Sequence, residues 1–157
     1  MNKTTEQIIF DVAMNFYEIC KMAEKQLIEE DMYEEGESGL DRTYLYIGNR
    51  RWKLSDIDIK SKDVCFDNPE ILKGNIIDDM CFGECKPVAL IESVAWAAIY
   101  NYDEYETGYI PIPGLREYVY SEELCDKMSM ALGRILGKNG MYYDSCLGEE
   151  YMPLFVE

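Results

Sequence analysis

The segment Lys86–Pro113, KPVALIESVAWAAIYNYDEYETGYIPIP, constrains this chain more than any other. Its first half is almost wholly apolar, so the rest of the protein has to enclose it. Pro87 suits the first turn of a helix, where a missing N–H costs nothing. Val88, Ile91, Ala95, Ala98, Ile99 and Tyr102 recur at three- and four-residue steps. Leu90, Val94 and Ala97 widen that face until Glu92 and Ser93 are almost the only polar positions. The periodicity predicts a central helix buried on most sides, with Trp96 among small alanines at its middle. After Tyr102, carboxylates alternate with tyrosines and lead to a proline-bounded exit, which predicts surface.

Enclosing such a segment takes a real core. A single domain of 157 residues buries about two-thirds of its unfolded surface. The 48% hydrophobic content supplies the material. Charge constrains the partners instead: 31 Asp and Glu against 15 Lys and Arg give −16, with no histidine. Such a field repels nucleic acid and anionic membrane and attracts basic surfaces, so direct nucleic-acid and membrane binding are not expected. The longest uncharged run near the centre, Ser93 to Tyr102, is about half of what a membrane span requires. Six cysteines raise the possibility of a disulfide framework, but MNKTTEQIIFDVAM lacks a signal-peptide pattern. Reduced, mostly buried thiols in a cytoplasmic protein are the expectation.

In chain order, Thr4 and Gln7 have capping-box spacing. Ile8, Val12, Phe16, Ile19, Ala23 and Leu27 continue at helical steps, predicting a long amphipathic helix over Thr5–Met32. In RTYLYIGNRRWKLSDIDIK, two β-rich runs flank Gly48-Asn49, a two-residue hairpin loop of type I′ or II′. That loop sets Ile47 opposite Arg50, Tyr46 opposite Arg51, Leu45 opposite Trp52 and Tyr44 opposite Lys53. Leu45 and Trp52 then face the core. Tyr44, Tyr46, Arg51 and Lys53 form a cation–aromatic ladder on the other side. Ile57 and Ile59 prolong the alternation. VCF and NIIDDMCF read as short strands, Asn68-Pro69 and Lys73-Gly74 as turns, and Arg116 to Tyr120 as a further strand. Ser121 caps a third helix with Leu124, Met128, Leu132 and Ile135 on its buried stripe and Gly137 at its C′ position. Leu154, Phe155 and Val156 dock on the domain. These elements predict one α+β domain over residues 1–157. In it a long N-terminal amphipathic helix and two further helices pack on a small, mainly antiparallel sheet containing the hairpin.

Few of the motifs that carry chemistry survive inspection. GRILGKNG, Gly133 to Gly140, has the wrong glycine spacing for a phosphate-binding loop and ends a helix instead of opening one. Cys81 and Cys85, with Cys65 as a third thiol, have no histidine to complete a zinc set, so free thiols and no metal are expected. Asp56-Asp58 fails the calcium-loop pattern because Lys60 stands at the fifth position. Glu92 is the one carboxylate within the apolar segment, a proton donor if buried, and otherwise a residue on a polar edge or a partner for an arginine such as Arg116 or Arg134. No catalytic motif is present, and neither enzymatic activity nor a cofactor is expected.

Carboxylates and tyrosines cluster twice: Glu29, Glu30, Asp31, Tyr33, Glu34, Glu35 and Glu37, then Tyr102, Asp103, Glu104, Tyr105, Glu106 and Tyr109. Tyrosines anchor interfaces at low rotamer cost, and carboxylates around them complement a basic partner. Residues 42–62 break the pattern with six basic residues and two acids. Their ladder of Tyr44, Tyr46, Arg51 and Lys53 is a secondary candidate surface. The expectation is a small acidic inhibitor of a basic, nucleic-acid-handling protein, of the anti-CRISPR or anti-restriction type. The alternatives are an immunity protein or accessory subunit for a basic partner, or a small-molecule or enzymatic domain with its pocket near Trp96 and Glu92.

Overall fold

Helix α1, Thr5–Glu29, begins with the reciprocal bonds of a capping box. The Gln7 N–H donates to Thr4 Oγ1 at 3.1 Å, and the Thr4 N–H donates to Gln7 Oε1 at 2.8 Å. Two of the helix's orphan donors are thereby satisfied at its first turn. The computed structural model describes residues 3–29, 39–57, 66–79, 86–93, 96, 122–143 and 151–157. Ile9, Val12, Ala13, Phe16, Ile19, Cys20 and Ala23 form one buried stripe on α1. A 3₁₀ turn over Gly39–Arg42 leads into the sheet.

Strands β1, Thr43–Ile47, and β2, Arg50–Lys53, form the hairpin in the expected register: Tyr44 opposite Lys53, Leu45 opposite Trp52, Tyr46 opposite Arg51, Ile47 opposite Arg50. Gly48 has φ 61 while Asn49 keeps a negative φ, which makes the loop type II′. The alternation does not run on to Ile57, because Leu54–Asp56 coils into a 3₁₀ turn that drops a fully buried Leu54 into the core. Asn68, at φ 56, turns the chain into β3, Glu70–Ile71, which pairs with β2. The expected strand in NIIDDMCF is instead a single helical turn, α2, Ile76–Asp79. Asn75 Oδ1 accepts from the Ile77 N–H and starts that turn.

The main correction falls on the central segment. Residues Ala89–Ser93 are a strand, β4, and not part of a helix. β4 lies between β1 and β6, and Ala89, Leu90 and Ile91 have no exposed surface. A strand covered on both faces shows no alternation of polarity, so a short apolar run of this kind reads equally as helix. The sheet order is β3-β2-β1-β4-β6-β5, and every neighbouring pair is antiparallel.

Helix α3, Glu122–Lys138, is the expected C-terminal helix, with Met128, Leu132 and Leu136 buried at four-residue steps. Ile135 is half-buried beside them, and Gly137 lies inside the helix. The left-handed residue is Gly140, at φ 66. Asn139 holds the last turn by donating its side-chain amide to the Ile135 carbonyl at 2.8 Å. Then come β5, Met141–Tyr143, and β6, Tyr151–Val156. The C-terminal tail docks as expected at Leu154 and Phe155, and does so as a strand inside the sheet, while Val156 is 52% exposed.

The result is one α+β domain with an antiparallel sheet and two long helices among the described residues. Leu45, Trp52, Ile91, Met152 and Leu154 line one face of the sheet and pack with α1 and α3 in the main core. Tyr46, Ile77 and Leu90 form a second, smaller cluster on the other face. No helix among the described residues is long and apolar enough to cross a membrane.

Candidate functional site

The second face of the sheet carries the ladder. On β1 and β2, Tyr44, Tyr46, Arg51 and Lys53 come to the same side because side chains alternate and the hairpin register pairs them. Arg51 is its centre. The guanidinium lies 4.9 Å from the Tyr44 ring centroid and 5.9 Å from that of Tyr46, within cation–π range. From β3, Glu70 Oε2 accepts from both Nε, at 2.9 Å, and Nη2 of Arg51. Hydrogen bonding to Tyr46, and then to Glu70, raises the Arg51 pKa further above its usual range. Arg51 therefore stays charged and engaged within the fold.

Tyr46 is less exposed than an outer-face position implies, at 3%, because Ile77 of α2 and Leu90 of β4 pack on it. Its hydroxyl donates to Glu92 Oε1 at 2.8 Å. Burial pushes the Tyr46 phenol up to about 12; Arg51 opposes that rise and Glu92 adds to it. Glu92 thus accepts from a tyrosine hydroxyl, and Arg116, one of the arginines the sequence offers it, lies outside the described residues.

The neighbouring arginine faces the opposite way. On the helix side, Arg50 donates from Nη1 and Nη2 to Oε1 and Oε2 of Glu6 at 2.8 and 3.0 Å, a two-pronged pair. It also lies 5.2 Å from the Trp52 ring centroid. The hydrogen bond from Arg50 holds the Glu6 carboxyl below its usual pKa. The two central arginines of the basic segment are therefore each matched by a glutamate from another element. Glu6 and Glu70 are functional neighbours that sequence reading misses: they lie 44 and 19 residues away, and no periodicity links such positions.

A groove of about 480 Å³ opens beside the ladder, lined by Tyr44, Lys53, Asp56, Asp67 and Asn68 among others. It holds charges of both signs.

Trp96 and Glu92 lie on different sides of the sheet. Trp96 is fully buried in the main core, its ring centroid 5.2 Å from that of Phe16 on α1. Its backbone N–H donates to Ser93 Oγ at 3.0 Å, and Ser93 also meets Thr43 Oγ1 at 3.2 Å. Ser93 points to the helix side of β4, so Glu92 points away from it. Beside Ser93, burial pushes the Cys20 thiol up to about 12, which leaves it protonated and a poor nucleophile.

Of the first acidic–aromatic cluster, only Glu29 falls among the described residues, exposed at the end of α1, whose last turn holds no basic residue. Glu30, Asp31, Tyr33, Glu34, Glu35 and Glu37 lie outside them, as do Tyr102, Asp103, Glu104, Tyr105, Glu106 and Tyr109. Cys65, Cys81 and Cys85 lie outside them too. Among the described residues no group of three His, Cys, Asp or Glu side chains is placed to hold a metal ion. Comparison with protein families, curated proteins and solved structures finds no match, which leaves the chemistry of these residues to carry the functional reading.

Proposed function

We propose that this chain is a small acidic, non-enzymatic protein that binds a basic, nucleic-acid-handling partner protein and inhibits it. Its carboxylates occupy positions where the partner holds phosphates. The observation that carries the reading is the internal pairing of Arg50 with Glu6 and of Arg51 with Glu70. The central arginines of the one basic segment are engaged inside the fold and offer little basic surface of their own, which leaves the acidic excess, −16 for the chain, as the field a partner meets. Tyrosines interleaved with the acids at Tyr33, Tyr102, Tyr105 and Tyr109 supply anchors that charge alone lacks. In its sharpest form the partner is a cytoplasmic restriction or CRISPR-type effector, and the chain an anti-defence protein.

Affinity capture from a bacterial lysate at low and at high salt tests this. The reading expects a nucleic-acid-binding protein that salt releases and that DNA or RNA displaces, because attraction between exposed charges is screened within about 10 Å at 0.1 M salt. A captured protein indifferent to nucleic acid overturns it and favours an immunity protein or an accessory subunit.

A further inference from the structure

We draw no further inference here: the strongest candidate, the groove of about 480 Å³ between β2, the turn after it and the Asp67–Glu70 stretch, is lined by Asp56, Asp67 and Glu70 together with Arg51 and Lys53, and nothing in the structure shows what covers it or which sign of ligand it would take.

Discussion

Arg50 and Glu6 stand 44 residues apart in the chain, yet both guanidinium Nη atoms of Arg50 reach the two carboxylate oxygens of Glu6, at 2.8 and 3.0 Å. The pair ties the first turn of α1 to the hairpin. It also places a negative side chain at the positive end of the helix.

Because the folded-state pKa of Glu6 is lowered, the pair's stabilisation is fully present above the unfolded value of 4.5 and is lost as pH falls through the folded value. The side chains of Arg50 and Glu6 are 34% and 42% exposed, so solvent screening limits the worth of the pair to about 0.5–1 kcal/mol. Glu6→Gln should destabilise the domain by that amount at pH 7, and the difference from wild type should shrink as pH falls below 4.5 through the lowered folded value. Urea denaturation at pH 7 and along that acid range checks it.

Trp96→Ala should cost about 3–5 kcal/mol, the range for deleting a buried aromatic side chain. Trp96 is 0% exposed and packs on Phe16, so the cavity would open between the sheet and α1. A loss under about 1 kcal/mol in chemical denaturation would show that the indole is not enclosed.

The bond from Tyr46 to Glu92 leads to a prediction at the alkaline end. A phenol whose folded-state pKa is raised to about 12 contributes stability that is complete below its unfolded value near 10 and is lost as pH rises through 12. Tyr46→Phe removes that contribution and one hydrogen bond, at about 1 kcal/mol near neutrality. Spectrophotometric titration should show one tyrosine fewer ionising late in the variant.

Much of the fold is legible where the determinants are local. Thr4 and Gln7 cap α1 from within one turn, and Gly48-Asn49 alone sets the hairpin register that Leu45 and Trp52 then obey. The central segment misleads for a physical reason. Ala89, Leu90 and Ile91 are covered on both faces, and a strand without an outer side carries no period of two. β3 has only two residues, too few for any pattern to show. At the site, the ladder of Tyr44, Tyr46, Arg51 and Lys53 is legible because it follows from that register. The glutamates that engage the arginines are not, since pairing across 44 and 19 residues is a property of the assembled sheet and helix.

The thiols are expected to be free. Cys20 is buried and unpaired in any disulfide, and its thiol should react with a labelling reagent only after unfolding. Native mass spectrometry on the reduced protein should give the mass of the metal-free chain. One zinc per chain, lost together with the folded signal on chelation, would instead assign Cys65, Cys81 and Cys85 as ligands.

The most direct test of the inhibitor reading measures association and dissociation rates against the captured partner over a range of salt. Three proteins are compared: wild type, the triple variant Asp103→Lys, Glu104→Lys, Glu106→Lys, and the triple variant Glu34→Lys, Glu35→Lys, Glu37→Lys. The account predicts that wild-type association slows as salt rises, and that at least one charge reversal slows it further at low salt while leaving the denaturation midpoint nearly unchanged. Tyr102→Ala or Tyr105→Ala should speed dissociation instead, as loss of an anchor does. Association rates that ignore salt and both charge reversals would contradict the claim that the acidic–aromatic clusters bind a basic partner.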